Sequence, residues 1–193
     1  MKPLAVQDGT AAYIWQGCAA AWAVFELGLA IRVRGASGRD RSFMPLTLSV
    51  VGGIVLGQFA ARRAEDLALP GPGWWPVALG VVVVALGLAL RAWAVHELGR
   101  FFKFTVVVQA NHEVVDTGPY RLIRHPSYTG LLAIELGLGI ALGTWLSIPA
   151  CLLPPLIAFS ARVLTEERVL ARELGEPYRA YMARTYRLVP GVW

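Results

Sequence analysis

Residues 118–130 read GPYRLIRHPSYTG, and a long apolar run follows directly. Gly118-Pro119 is a turn signal. His125 precedes Pro126 and is thereby biased away from helical geometry, while Pro126 suits the first position of a helix. His125 is therefore expected at the mouth of a helix N-terminus. Free backbone donors and the positive dipole end favour a carboxylate or phosphate there. Tyr128 falls in the first turn, and Leu132 and Glu135 follow on its face. Arginine, histidine and tyrosine also anchor helix ends at membrane interfaces, so these residues alone leave anchor and site both open.

A second polar constellation is ARVLTEERVL, residues 161–170. Arg162 and Glu166 are four apart and share a helical face; as a surface pair they contribute only a few tenths of a kcal/mol. Their place in the chain gives them more weight. Apolar runs at about 127–145 and 147–164, joined by Gly143-Thr144-Trp145, form a helical hairpin. The hairpin returns Arg162 and Glu166 to the membrane face where Pro126 begins. Glu26, Arg91 and Glu135 lie inside apolar runs, where ionisable groups are rare, usually paired and often functional. Glu135, on the Tyr128 face, is a candidate on the substrate side or a structural partner for Arg91. Glu26 is assigned to packing or pairing.

These residues must be positioned by membrane helices. Of the 193 residues 56% are hydrophobic and 16% charged, and mean hydropathy is +0.53. Soluble domains are nearer 45–50% apolar and about 25% charged. Crossing the hydrocarbon takes roughly 20 apolar residues. Five runs qualify: about 11–33, 43–60, 74–95, 127–145 and 147–164. The first is too long for a signal-peptide core. Trp74 and Trp75 suit an interfacial belt, and Pro154-Pro155 should kink the fifth span. Cys18 and Cys151 lie in apolar runs and read as small hydrophobes.

The net charge of +5 does not indicate nucleic acid, because the basic residues flank apolar runs. Fourteen of the eighteen fall on one side of a five-span topology. That side is expected to be cytoplasmic, with the N-terminus outside and some attraction to anionic lipids. The motif and the C-terminal tail share it. The tail reads as amphipathic helix to Leu174, a stop at Gly175, and a second piece from Pro177 to about Arg187. Tyr178, Tyr181 and Met182 share one face of that piece, as in an interfacial helix or a lid. The fold expected is all-α: one integral membrane bundle of about five spans, with residues 1–95 as three N-terminal spans and 96–193 as a catalytic half. No GxGxxG, P-loop, HExxH or CxxC is present, so no metal motif is read and any cofactor binds in a helical membrane site.

GPYRLIRHPSYTG, then TEER, then LGEPYRAY, together resemble the isoprenylcysteine carboxyl methyltransferase family and, more widely, membrane methyltransferases that include phospholipid methyltransferases. The resemblance covers roughly residues 96–190. It implies a multi-pass enzyme that uses S-adenosyl-L-methionine, held on the cytoplasmic side by the C-terminal half. Carried across residue by residue, it implies cofactor binding by Gln109, His112, Glu113, Val114, Val115, Tyr120, His125, Pro126, Ser127, Tyr128 and Glu166. It places Arg162 near the substrate. Gln109 fits less well, because the stretch between it and His112 is shorter than in the eukaryotic enzymes. Catalysis is assigned to Arg162, which would orient the acceptor, and His125. The acceptor expected is lipophilic and enters from the bilayer: a prenylated cysteine carboxylate, an isoprenoid, a lipid amine or a small thiol. Low lysine with abundant arginine, alanine and glycine suggests a GC-rich bacterial genome, hence an inner membrane. Two other readings share part of the pattern. One is an NADPH-dependent sterol-type reductase, since an isolated RHPxYxG also occurs in those enzymes; the other is a non-catalytic scaffold.

Overall fold

The computed structural model describes residues 8–32, 43–71, 73–103 and 114–193. The α-helices among them are α1 (Gly9–Arg32), α2 (Phe43–Arg63), α3 (Trp75–Leu98), α4 (Pro126–Ala141), α5 (Ser147–Glu173) and α6 (Glu176–Ala183). Among the described residues there is no strand, only isolated bridges joining Ala68 to Thr144 and Ile123 to Tyr186. Helices α1, α2, α3 and α5 are each long and apolar enough to cross a membrane, yet at most 33% of the apolar window of any of them is buried. Leu48, Val55, Leu86 and Ile157 face outward. A continuous apolar belt of this kind belongs against lipid, not water. The protein is an integral membrane helical bundle.

The fourth expected span lies inside the bundle and not against lipid. Helix α4 has 16 residues, about 24 Å at 1.5 Å per residue, against a hydrocarbon thickness of about 30 Å. Eleven of the sixteen are buried. An all-round apolar helix suits a protein interior as well as lipid, and α4 occupies the interior. Trp15 of α1 donates its indole N–H to the Leu138 carbonyl at 3.0 Å, which ties the outer helix to this central one.

Helices α3 and α4 pack antiparallel along glycines spaced seven residues apart. A Cβ on Gly87 would stand 2.7 Å from the Gly130 carbonyl oxygen, and one on Gly137 would stand 2.7 Å from that of Gly80. Small residues let backbones approach where lipid offers no hydrophobic drive. Gly87→Leu is therefore expected to destabilise the detergent-solubilised protein by about 1–3 kcal/mol or more. Gly17→Leu, where an added Cβ meets nothing within 4 Å, should not lower the melting temperature.

Gly143, at φ 78°, makes the turn from α4 into α5. Helix α5 continues through Pro154 and Pro155 for 27 residues, about 40 Å. It therefore unites the fifth span with the first piece of the tail. Cys151 is fully buried where α5 meets Gly53 and Gly57 of α2; Cys18 is half-buried.

Candidate active site

The motif sits where α1, α3 and α5 end and α2 and α4 begin. Gly118, at φ 54°, starts a 3-10 turn, Gly118–Arg121, that buries Pro119 and Tyr120. The Tyr120 hydroxyl donates to the Ala94 carbonyl of α3 at 3.3 Å. The Tyr181 hydroxyl of α6 donates to the Tyr120 carbonyl at 2.8 Å. Burial pushes both phenols well above the ordinary tyrosine value, so they act as neutral donors. Tyr181→Phe removes one bond and should lower thermal stability by about 0.5–1.5 kcal/mol.

The C-terminal segment fixes the rest of the motif. The helical part of the tail stops at Ala183, short of the expected Arg187, and the chain then folds across residues 122–129. Arg124 N–H donates to the Tyr186 carbonyl at 2.7 Å, and His125 N–H to the Arg187 carbonyl at 3.1 Å. Thr129 Oγ1 donates to the Leu188 carbonyl at 2.8 Å. His125 is thereby held at φ −125°, ψ 55°, as the cap residue before Pro126. Tyr178 and Tyr181 are buried and Met182 half-buried, so the shared face of α6 turns inward.

Two adjacent glutamates of α5 serve opposite sides of this motif. Glu167, 3% exposed, accepts from Arg124 Nε at 2.6 Å and Arg187 Nε at 2.9 Å. Its Oε1 also lies 3.5 Å from His125 Nε2. Glu166 accepts from the Tyr128 hydroxyl at 2.8 Å and lies 3.9 Å from Arg162 Nε. His125, Tyr128 and Phe159 form a run of nearly parallel rings, with centroids 5.7 and 5.2 Å apart. The hairpin does return Glu166 to the start of α4, where it meets Tyr128, but the carboxylate beside His125 Nε2 is that of Glu167. The expected Arg91–Glu135 pair does not form. Arg91 is instead bidentate to Glu26, Nε–Oε1 at 2.5 Å and Nη2–Oε2 at 2.7 Å, and donates to Ser127 Oγ at 2.6 Å.

A cavity of about 420 Å³ opens at this end of the bundle. Its polar lining includes Tyr120, His125, Ser127, Tyr128 and Glu166, and Val114 and Val115 also line it. Its apolar part runs between α1, α2 and α4, past Trp22, Leu46, Val50 and Leu131. Arg91 and Glu26 stand on the wall as well. Of the remaining expected residues, Pro126 is buried as the first residue of α4. Arg162 is 6% exposed and lies behind Glu166. Glu135, 1% exposed, is two turns deeper in α4, and neither carboxylate oxygen has a hydrogen-bond partner among the described residues. Gln109, His112 and Glu113 lie outside the described residues. Sequence reasoning missed Glu167, Arg124 and Arg187 as a unit. The doubled glutamate of TEER was the available signal.

The model of the isoprenylcysteine carboxyl methyltransferase family matches residues 78–172. Protein-S-isoprenylcysteine O-methyltransferase B of Arabidopsis thaliana is 32% identical over 133 residues, 67% of this chain and 68% of that protein. The chain belongs to the isoprenylcysteine carboxyl methyltransferase family. Protein-S-isoprenylcysteine O-methyltransferase A of the same plant is 29% identical over 88% of this chain and 87% of its own length. A solved structure of the eukaryotic intramembrane Ras methyltransferase ICMT superposes with a TM-score of 0.72 at 25% identity, over 98% of this chain and 70% of that one. The stretch matched to the isoprenylcysteine carboxyl methyltransferase family takes in Arg91, all of α4, Arg162 and Glu166. It leaves out α1 with Glu26 and the C-terminal segment with Arg187.

Proposed function

We propose that this protein transfers the methyl group of S-adenosyl-L-methionine to the carboxylate of a prenylated cysteine or a close lipophilic analogue. The observation that supports this most is a cavity lined both by polar groups at the α4 N-terminus, among them His125, Ser127 and Glu166, and by apolar side chains of α1 and α2. The polar lining fits the donor. His125 Nε2 is buried there, 3.5 Å from Glu167 Oε1 and without a well-formed hydrogen bond among the described residues. It stands beside the first turn of α4, whose dipole favours the donor's carboxylate. Glu166, oriented by the Tyr128 hydroxyl, suits its ammonium or ribose hydroxyls, Val114 and Val115 suit the adenine, and Tyr120 offers a ring face to a cation. Gln109, His112 and Glu113 extend this set by family resemblance. When bound, S-adenosyl-L-methionine supplies a methyl group activated by its sulfonium.

The protein's own task is alignment and exclusion of water. A carboxylate acceptor needs no general base, so His125 serves as a donor and a wall. Arg162 acts through Glu166 and Tyr128, which it holds from behind. The apolar part admits a prenyl chain from the bilayer, and the excess of basic residues at the motif end favours a cytoplasmic active site.

Purified protein should bind S-adenosylhomocysteine and not NADPH. It should also label N-acetyl-S-farnesyl-L-cysteine with a methyl group that alkali releases as methanol. NADPH binding, or label resistant to alkali, would overturn this reading.

A further inference from the structure

Arg91 is given no role in the donor binding proposed above, yet it is 3% exposed and lines the cavity together with Ser127 and Glu26. Its Nη1 is anchored to Ser127 Oγ at 2.6 Å, at the start of α4. Its Nε–Nη2 edge, the edge that grips a carboxylate bidentately, is taken by Glu26. The two partners are not equally fixed. Arg91 belongs to the buried α3–α4 contact. The Glu26 side chain is 24% exposed and sits on α1, whose apolar window is only 11% buried. Trp22, one turn away, donates to Glu26 Oε1 at 3.3 Å, and Trp22, Glu26 and Arg91 all line the cavity.

A nearly buried guanidinium in a membrane protein needs a counter-charge at every stage of a cycle. Glu26 supplies it now. An acceptor carboxylate arriving along the apolar part would offer the same charge and the same two oxygens. We propose that Glu26 is an internal stand-in for the acceptor carboxylate. The acceptor displaces it from Arg91 on binding, and Glu26 recaptures Arg91 once methylation has removed the acceptor's charge. This rests on the carboxylate methylation proposed above.

The exchange balances. The acceptor oxygen forms an O–CH3 bond as the donor's S–CH3 bond breaks, and the electron pair remains on sulfur. No proton moves. The acceptor passes from one negative charge to none, and a neutral ester cannot compete with Glu26 for the bidentate edge. Methylation itself therefore expels the product. The same device selects the substrate class: an amine or a neutral thiol brings no charge with which to displace Glu26.

The test is equilibrium binding of N-acetyl-S-farnesyl-L-cysteine and of its methyl ester to the full-length protein with S-adenosylhomocysteine present, alongside steady-state methylation. Glu26→Gln removes the competitor. Both dissociation constants should fall, by roughly 3- to 30-fold for the acid, while kcat drops as the ester is retained. Arg91→Gln should raise the acid's constant. Were Glu26 a structural strut only, Glu26→Gln would leave both constants unchanged or raise them, and either result overturns the proposal. If Glu26→Gln does not fold, Glu26→Asp keeps the charge but shortens the reach; it must still lower the acid's constant, and an unchanged or raised value overturns the proposal. Failure of the wild-type protein to methylate the acid would count against the proposed reaction, and the acid and ester affinities would still decide the role of Glu26.

Discussion

Glu167→Ala is expected to cost the protein about 3–5 kcal/mol, the effect of removing one partner from a buried ionic cluster. Glu167 is the common acceptor for Arg124 and Arg187, and its side chain is 4% exposed. Arg124 also donates to the Met182 and Thr185 carbonyls. One carboxylate thus joins α5, the motif and the C-terminal segment. Without it, the buried Arg124 guanidinium, 6% exposed, keeps no carboxylate, and the partly exposed Arg187 loses its anchor. Total stabilities are commonly about 5–15 kcal/mol, so the variant should melt far below the wild type. Its C-terminal segment should also become sensitive to protease. Glu167→Gln, which keeps acceptor oxygen but not charge, should fall between the two. An unchanged melting temperature for Glu167→Ala would mean that the cluster contributes nothing.

What could be read from the sequence follows the range of the forces involved. The placement of His125 before α4 rests on constraints that Pro126 imposes on its neighbours, and it is found as expected. The turn at Gly143 is local too. Glu26 and Arg91 are 65 residues apart in the chain, and nothing in either neighbourhood specifies the pairing. The closer partner on the Tyr128 face, Glu135, was the natural expectation. The two glutamates of TEER differ by about 100° around the helix. Which one meets the cavity depends on how α5 is rotated against α4. Helix α4 itself shows the limit of hydropathy, because a buried helix and a lipid-facing helix are apolar alike. The seven-residue spacing of Gly80 with Gly87 and of Gly130 with Gly137 was the readable sign that α3 and α4 touch.

Glu166→Ala is expected to lower the affinity for S-adenosylhomocysteine by roughly 10- to 150-fold, the 1.5–3 kcal/mol of a charged hydrogen bond. Its effect on the melting temperature without ligand should be much smaller than that of Glu167→Ala. The contrast follows from geometry. Glu166 is the neighbour of Glu167 in the chain, yet its side chain is 25% exposed and stands on the cavity wall. There it holds the Tyr128 hydroxyl and meets Arg162. A carboxylate kept at such a wall is poised for a ligand's donors. Tyr128→Phe keeps the ring stack with His125 and Phe159 while removing the hydroxyl that orients Glu166. It should therefore weaken binding less, by the about 0.5–1.5 kcal/mol of a neutral hydrogen bond. Calorimetric titration of the three proteins separates the roles. Equal weakening in both variants would make Tyr128 the contact and Glu166 its support. Wild-type affinity in Glu166→Ala would remove Glu166 from the donor site altogether, leaving the pocket at the α4 N-terminus to be explained by His125 and the helix dipole alone.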